Sequence, residues 1–300
     1  MDAYLNCNQC GKCCNTGPSL AFSEVFKFQD KFVIGLYCQA QAESKSSFPE
    51  TIMGSQTTDD DHKLIMDHMG NMFGRMNTLD GNFYLQFYPM DIGYSSLKHH
   101  SCDQLQADGG CGIHADKPSM CRSVPFDAMF PESQQALTIE VFMSSHSCLT
   151  TTGQEQDLIY RDGQIVSDAY KKGYDAKLHD LQENIDYMMA MAKSAVDHAG
   201  FIPPAEHIID VSKRRGRLEV PIVYYLGLYI HQKPQEIGER AQQVIDFCAS
   251  QIALANELIT KAISRKNKAE LERTRALRKN IDLLKIMSSG AFEILAESEV

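Results

Sequence analysis

Hydrophobic periodicity is clearest in the second half of the chain. Apolar residues recur every three or four positions across residues 175–198, 235–265 and 269–296, which is the spacing of an amphipathic helix. Pro203 and Pro204 open a further helix, because proline is tolerated in a first turn. The two last and longest segments meet near Asn267, so we expect an antiparallel helix pair at this end of the chain.

The first half is less regular. Residues 32–37, 82–88 and 137–143 are apolar or alternating and predict strands, whereas the stretch from Asp59 or Asp60 to about residue 75 has helical spacing and residues 41–60 predict a polar loop. We therefore expect an α+β protein. A small cysteine-rich metal-binding module with a few strands would span residues 1–150, and an α-helical domain ending in the long antiparallel helix pair would span residues 153–300.

Composition and charge narrow the function classes. The chain has 300 residues, of which 43% are hydrophobic, and a formal net charge of −10. This content supports a folded core, and the acidic balance argues against a general nucleic-acid-binding protein. No apolar stretch is long enough to span a membrane, and the first residues lack the pattern of a secretory leader. We expect a cytoplasmic protein whose thiols stay reduced.

The first cysteine cluster is the strongest local signal. Nine of the ten cysteines lie within residues 1–150, and one run reads Cys7-x2-Cys10-x2-Cys13-Cys14. Two-residue gaps let a tight turn aim successive sulfurs at one metal, and Gly11 provides the backbone freedom for that turn. The adjacent side chains of Cys13 and Cys14 should diverge, one toward a first metal site and the other toward a second site or the interior.

A second group of cysteines follows about a hundred residues later. It consists of Cys102, Cys111 and Cys121, and Cys148 follows the segment at 137–143. The candidate metal ligands are therefore Cys7, Cys10, Cys13, Cys14, Cys102, Cys111, Cys121 and Cys148. Eight is twice the four thiolates of a tetrahedral zinc site or a cubane cluster. Cys38 and Cys248 lie in apolar segments and are expected in the core.

The spacing favours iron–sulfur, as a 4Fe-4S cluster, with zinc as the alternative. Arg122 and Lys117 adjoin the ligands and would offset negative charge, and Arg122 and His114 are the candidate cofactor-binding residues. His99, His100 and His146 also lie near candidate ligands. Each of the four could be a ligand, a hydrogen-bond donor to a ligand or a general base, but an ordinary exposed or hydrogen-bonded histidine is favoured. His114 stands out among them because it lies between Cys111 and Cys121.

The two motifs together resemble the YkgJ-type cysteine-cluster proteins, which are zinc- or iron-chelating domain proteins. CxxCGxCC near the start is followed by a cysteine, then GC-x-I-H and K-P-x-x-C-R-x-x-P-F. The resemblance implies that the seven cysteines from Cys7 to Cys121, Cys38 excepted, are metal or cluster ligands. Lys117 replaces the usual arginine, His114 a common tyrosine, and Cys148 precedes Leu-Thr instead of Pro-Gly.

Three functional classes remain open. The chain could be a metal-binding protein with a structural or redox-active cluster, or a zinc-stapled adaptor whose C-terminal helices bind a partner protein. It could also be a cluster-dependent protein-modifying enzyme, since flagellin lysine N-methylases are similar in their N-terminal cysteine set. We expect no nucleic-acid or membrane partner, so the basic run at residues 261–279 is predicted to be a solvated helix tip. Enzymatic activity and oligomeric state are left open.

Overall fold

A computed structural model describes residues 1–7, 11–14, 17–44, 51–52, 55–78, 81–93, 102–198, 202–214, 216–266 and 268–298. The strands are β1 (Asp2–Leu5), β2 (Ile34–Ala42), β3 (Thr51–Ile52), β4 (Ser55–Gln56), β5 (Gly74–Thr78), β6 (Gly81–Asp91), β7 (Leu149–Thr150), β8 (Leu158–Arg161), β9 (Gln164–Ile165) and β10 (Leu218–Val220). The α-helices are α1 (Asp59–Gly70), α2 (Ser119–Ser123), α3 (Ala136–Met143), α4 (Asp168–Glu183), α5 (Ile185–Val196), α6 (Ala205–Lys213), α7 (Val223–His231), α8 (Ile237–Arg265) and α9 (Lys268–Ser298).

The strands form two four-stranded sheets and a short hairpin of β3 and β4. One sheet has the order β10-β2-β6-β5, and its central antiparallel pair places Tyr37 opposite Tyr88. The other has the order β7-β1-β8-β9. The strands expected at 32–37 and 82–88 are confirmed as β2 and β6, which extend further than the sequence pattern predicts.

One hydrophobic cluster joins the larger sheet to the helices around it. Leu36 and Phe87 on the sheet and Met188 and Leu226 on the helices are fully buried within this cluster. Cys38 and Cys248 are also fully buried there, so their predicted place in the core is confirmed. Burial raises the pKa of each of these two thiols to about 12, which keeps them protonated at neutral pH.

The predicted helix pair at the end of the chain is confirmed as α8 and α9. Lys266 ends α8 in the left-handed conformation (φ 54°), and Asn267 lies outside the described residues. A second, smaller buried cluster lies between this pair and the ends of β2 and β6, and it includes Val33, Ile92 and Leu277. The long helices therefore pack against the sheet instead of projecting away from it.

Gln251 on α8 fixes the start of β2. Its side-chain oxygen accepts the backbone N–H of Ile34 at 2.7 Å, and its amide nitrogen donates to the carbonyl oxygens of Gln29 at 2.7 Å and Phe32 at 2.8 Å. The Gln251 side chain is fully buried, so these bonds satisfy groups that water cannot reach.

Two predictions from periodicity are wrong. Residues 137–143 form helix α3, not a strand, because Gln135 anchors the first turn and the Thr138 hydroxyl donates to the Gln135 carbonyl. The Gln135 amide nitrogen also donates to the carbonyls of Asp127 and Phe130. Residues 175–198 form two helices instead of one. Asn184 separates α4 from α5, and its side-chain amide donates to the Asp180 carbonyl at 2.7 Å.

The chain is an α+β protein, as its sequence predicts. The division into modules at residues 150–153 stays a prediction, and strand pairing between β1 and β8 connects the two sides of that boundary. Helix α1 begins after Thr58, whose hydroxyl accepts the N–H of Asp61, and ends at Gly70 instead of about residue 75. Among the described residues, none of the helices is long and apolar enough to cross a bilayer.

Candidate metal centre

The first cysteine segment folds into a tight turn against the second. Gly11 has a φ of 67°, and residues 12–14 follow it as a single turn of 3-10 helix in which the Cys14 N–H donates to the Gly11 carbonyl. A Cβ at Gly11 would lie 3.2 Å from Leu105 Cδ1. The Cys102 N–H donates to the Cys14 carbonyl at 2.8 Å. Backbone contact therefore joins two segments that are far apart in the sequence.

A compact loop brings the next two cysteines toward each other. Leu105 and Cys111 pair as an isolated β-bridge, and the Gly112 N–H donates to the Gln104 carbonyl at 2.7 Å. The Gln104 N–H points to Cys102 Sγ at 3.5 Å, which is within the range of a bond to sulfur. The loop thus places Cys111 near Cys102, which contacts the first turn through its backbone N–H.

Cys121 lies on the short helix α2, which Glu24 holds in place. The Glu24 carboxylate accepts the Ser119 N–H at 2.7 Å, the Ser119 hydroxyl at 3.1 Å and the Ala21 N–H at 2.9 Å. Arg122 Nη2 lies 3.7 Å from Glu24 Oε1. Since Glu24 is buried, these bonds fix the orientation of α2 and of the cysteine that it carries.

Helix α4 packs directly on the backbone of α2. A Cβ at Gly173 would lie 2.9 Å from the backbone carbon of Arg122 and 2.9 Å from the Ser123 nitrogen. Only glycine allows this approach without a shift of one helix. The predicted helical half therefore supports the segment that carries Cys121.

Cys148 and Cys7 lie at adjacent strand ends. The Asn6 N–H donates to the Cys148 carbonyl at 2.9 Å, and β1 pairs with β7 just beyond this bond. Burial raises the pKa of Tyr170, and the charges of Cys7, Cys148 and Cys13 raise it further. These three thiols therefore all act on the Tyr170 hydroxyl.

Cys13 and Cys14 differ strongly in acidity. The hydrogen bond from the Cys14 thiol lowers the pKa of Cys13 to about 6, and the charges of His146 and Lys117 act in the same direction. The same hydrogen bond raises the pKa of Cys14, which burial and the charges of Cys13, Cys102 and Cys121 also raise. Cys14 therefore donates to Cys13, so the two adjacent side chains meet instead of diverging as the sequence predicts.

Burial and mutual charge dominate the next two thiols. Burial raises the pKa of Cys121 to about 12, and the charge of Cys102 adds to the shift. Burial also raises the pKa of Cys102 to about 11, with a contribution from Cys111. Lys117 opposes the shift at Cys121. The charges of Asp91 and Asp103 also raise the pKa of Cys102, so neighbouring thiols account for only part of its shift.

These interactions divide the cysteines into two groups. The outer thiol group, around Tyr170, contains Cys7, Cys13 and Cys148, and the inner thiol group contains Cys14, Cys102, Cys111 and Cys121. The two groups meet at Cys13, whose charge also acts on Cys14 and Cys121. Cys7 and Cys13 are exposed, and the other five are partly buried. Cys10 lies outside the described residues. Across the described ranges, no three Cys, His, Asp or Glu side chains converge tightly enough to hold an ion as they stand.

The two candidate cofactor-binding residues are placed differently from the thiols. The His114 ring is exposed and makes no hydrogen bond to the described part of the chain, although its backbone N–H donates to the Cys111 carbonyl at 3.1 Å. The Arg122 guanidinium approaches Glu24, and its Nε is buried without a partner among the described residues. A role for either residue toward a cofactor stays a prediction. His99 and His100 lie outside the described residues.

A pair of carboxyl groups beside Cys102 has no counterpart in the sequence-based predictions. A Cβ at Gly93 would lie 2.8 Å from Asp103 Oδ2 and 3.0 Å from Asp91 Oδ1, so the two carboxyl groups flank this glycine. Burial raises the pKa of Asp91 to about 7, and the charge of Asp103 adds to the shift. Asp91 ends a strand that alternation predicts, but its burial depends on packing that the sequence does not reveal.

Comparison with known proteins gives one match. Residues 6–148 match the model of the CxxCxxCC family, which is described as "Putative zinc- or iron-chelating domain". The matched segment contains both thiol groups. No curated protein and no solved structure matches the chain.

Proposed function

Because residues 6–148 belong to the CxxCxxCC family of zinc- or iron-chelating domains, we propose that this chain binds iron through two sets of cysteine thiolates, as iron–sulfur clusters. Zinc in the same thiolates is the alternative. The observation that carries the proposal is the backbone bond between Cys102 and Cys14, which joins the two cysteine segments.

The donor set fits a thiophilic metal. The inner thiol group contributes Cys14, Cys102, Cys111 and Cys121, which is the number of thiolates that a tetrahedral zinc or a cubane cluster takes. The outer thiol group contributes Cys7, Cys13 and Cys148, and Cys10 is the expected fourth member. Sulfur donors in this number exclude magnesium and calcium, which prefer oxygen ligands.

The charges around the thiols favour the binding of a cation. Burial raises the pKa values of Cys102 and Cys121, and the charges of neighbouring thiols raise them further, so ionising these thiols together is unfavourable in the metal-free protein. A bound metal removes this repulsion and displaces the thiol protons. Cys13, with its pKa lowered to about 6, provides a thiolate for the first contact.

The cysteine side chains must change rotamer before their sulfur atoms can bind the same metal. Structural zinc binding in small domains releases about 10–16 kcal/mol, which is far more than the ~1 kcal/mol that a changed rotamer costs. The two segments are already in contact, because the Cys102 N–H donates to the Cys14 carbonyl and the Leu105 side chain packs at Gly11. The remaining adjustment therefore concerns the cysteine side chains.

The run of cysteines favours iron–sulfur over zinc. In two-cluster ferredoxins, the fourth cysteine of a Cys-x2-Cys-x2-Cys-x3-Cys run ligates a different cluster from the first three. Cys13 acts on Tyr170 together with Cys7 and Cys148, and Cys14 interacts with Cys102 and Cys121. This suits a similar use of one run for two sites, once bound metal replaces the hydrogen bond between the Cys13 and Cys14 thiols. Lys117, whose charge acts on Cys13 and Cys121, would offset the negative charge of a cluster with four thiolates.

Metal and sulfide analysis of the protein purified without oxygen tests the proposal. We expect iron and acid-labile sulfide in equal amounts, with a broad absorption band near ~400 nm that disappears on oxidation. A colourless protein that contains zinc and no sulfide would reject the iron–sulfur cluster and support zinc binding by the same thiolates. Protein that contains neither metal and takes up neither iron with sulfide nor zinc would refute the proposal.

A further inference from the structure

His146 follows helix α3 and has a fixed ring. Its backbone N–H donates to the Phe142 carbonyl at 2.8 Å, and the ring packs against Phe142 with centroids 5.0 Å apart. Nδ1 lies 3.1 Å from the same carbonyl oxygen and 2.8 Å from the Ser145 hydroxyl. Three contacts thus restrain a side chain that lies two residues before Cys148.

The carbonyl contact determines the tautomer. A carbonyl oxygen can only accept a hydrogen bond, so Nδ1 of His146 carries the proton and donates. Nε2 of the neutral ring then has a free lone pair. This atom is buried and has no hydrogen-bond partner among the described residues. A buried acceptor without a partner costs about 1–3 kcal/mol, so its presence calls for an explanation.

The position of the ring supplies that explanation. The charge of His146 acts on Cys13, and Cys13 and Cys148 both act on the Tyr170 hydroxyl. The imidazole therefore borders the outer thiol group. Metal-binding histidines in proteins commonly donate one ring N–H to a backbone carbonyl and direct the other nitrogen at the metal, as the contacts of His146 allow.

We propose that Nε2 of His146 is a ligand of the metal bound by the outer thiol group, together with Cys13 and Cys148. This inference rests on the proposed metal-binding function. His146 then replaces one of the four thiols assigned to the outer site, which becomes a mixed nitrogen and sulfur site, whereas the inner thiol group remains entirely sulfur. Zinc accepts such a set with nitrogen at ~2.0–2.1 Å and sulfur at ~2.3 Å, and histidine also replaces cysteine on iron in some iron–sulfur centres.

X-ray absorption of the full chain loaded with Zn²⁺ tests the assignment, because zinc reports its nearest atoms directly. We expect sulfur at ~2.3 Å and an imidazole nitrogen at ~2.0–2.1 Å. His146→Leu should lose the nitrogen and keep the sulfur. His114→Leu is the matched control, since the His114 ring is exposed, and it should keep both. We expect His146→Leu to weaken zinc binding at least about tenfold.

The outcomes separate this inference from the function on which it depends. A shell of sulfur alone, or a nitrogen that persists in His146→Leu, would overturn the role of His146 and leave metal binding intact. Failure of the wild-type chain to bind zinc or iron would overturn both. If His146→Leu does not fold, ¹¹³Cd-loaded wild-type protein decides: a scalar coupling between cadmium and His146 Nε2 supports the ligand, and its absence in the loaded protein refutes it.

Discussion

At the scale of single residues, the acidity of each thiol follows from its neighbours. Cys13 is acidic because Cys14 donates a hydrogen bond to it, and Cys121 is a poor acid because it is partly buried near other thiols. Cys248 shares the raised pKa of Cys121, but burial alone is the cause, since it lies in the apolar core. A raised pKa is therefore found both for a candidate ligand, Cys121, and for a core residue, Cys248.

Replacing one member of the inner thiol group separates these roles. Cys121→Ala should lose the metal of that group and most of its soluble yield, because metal binding is coupled to folding. Cys248→Ala should keep the metal and lose about 1 kcal/mol of stability through the small cavity it leaves. Metal content per chain, measured on both purified variants, is the readout. Full metal content in Cys121→Ala would remove Cys121 from the ligand set.

Asp91 predicts a pH dependence of stability. Its pKa is about 7 in the folded chain and 3.8 for an unperturbed carboxyl, so folding takes up a proton between these values. The resulting stabilisation is complete below pH 3.8 and is lost as the pH rises through about 7. Asp91→Asn keeps an oxygen to accept the Gly93 N–H, which Asp91 Oδ1 accepts at 2.8 Å, and cannot ionise.

Denaturant unfolding of the metal-free forms between pH 5 and pH 8 measures this effect. From pH 5 to pH 8, wild type should lose roughly 2 kcal/mol relative to Asp91→Asn. The change of the unfolding free energy with pH is the quantity to compare. Any cost of burying the amide in Asp91→Asn is the same at every pH and does not affect this change. Parallel stability curves for the two proteins would show that Asp91 titrates as an ordinary carboxyl group.

At the scale of secondary-structure elements, the packing of α4 on α2 positions Cys121. Gly173→Ala would place a methyl group 2.9 Å from the backbone of Arg122 and Ser123. Because backbone atoms cannot move without shifting α2, we expect a loss of about 1–3 kcal/mol and weaker metal binding. Gly227→Ala, on α7, is the matched control. Nothing lies within 4 Å of its added Cβ, so the change should stabilise the helix by up to ~1 kcal/mol.

Thermal unfolding and zinc titration of the two glycine variants give the comparison. A Gly173→Ala protein with unchanged zinc affinity would mean that α4 does not position α2 for metal binding. Equal loss of stability in both variants would point to a general effect of replacing a helical glycine.

The limits of sequence-based prediction are also visible at this scale. The long stripes of apolar residues predicted α8 and α9, because a helix of this length repeats its pattern many times. Residues 137–143 misled the prediction, since a short alternating run fits a strand or a helix, and the bonds of Gln135 and Thr138 decide between them. The break at Asn184 depends on one side-chain hydrogen bond that periodicity does not detect.

The candidate site was predictable in its chemistry and not in its arrangement. Cysteine spacing named the thiols, and no spacing rule specifies that Leu105 packs on Gly11 or that Glu24 holds α2. His146 lies two residues before Cys148, so its position in the sequence already indicated that it is near a candidate ligand. His114 is the preferred candidate in the sequence because it lies between two cysteines. Only the fold shows that its ring is exposed, whereas the ring of His146 is restrained.

At the scale of the whole molecule, the cysteine segments and the C-terminal helices pack against each other in one folded unit. Strand β8 pairs with β1, helix α4 supports α2, and a single hydrophobic cluster contains residues from both halves. Metal binding near the N-terminus should therefore stabilise the helices as well. At a free Zn²⁺ concentration 100-fold above the dissociation constant, the expected gain is about 2.7 kcal/mol.

Far-ultraviolet circular dichroism during denaturation measures that gain, because the long helices dominate the signal. We expect one transition that moves to higher denaturant with zinc and returns with a chelator. A helical transition that stays in place while zinc is bound would show that the two halves unfold independently.

We propose that a metal gathers thiols from two distant segments of the chain. Thiol alkylation with and without a strong chelator, read by peptide mass spectrometry of the metal-loaded chain, tests it most directly. We predict that Cys13 and Cys14 become reactive together with Cys102, Cys111 and Cys121 when the metal is removed, while buried Cys38 and Cys248 stay unreactive in the folded protein under both conditions. Protection confined to one of the two segments, or a pattern that the chelator does not change, would contradict the account.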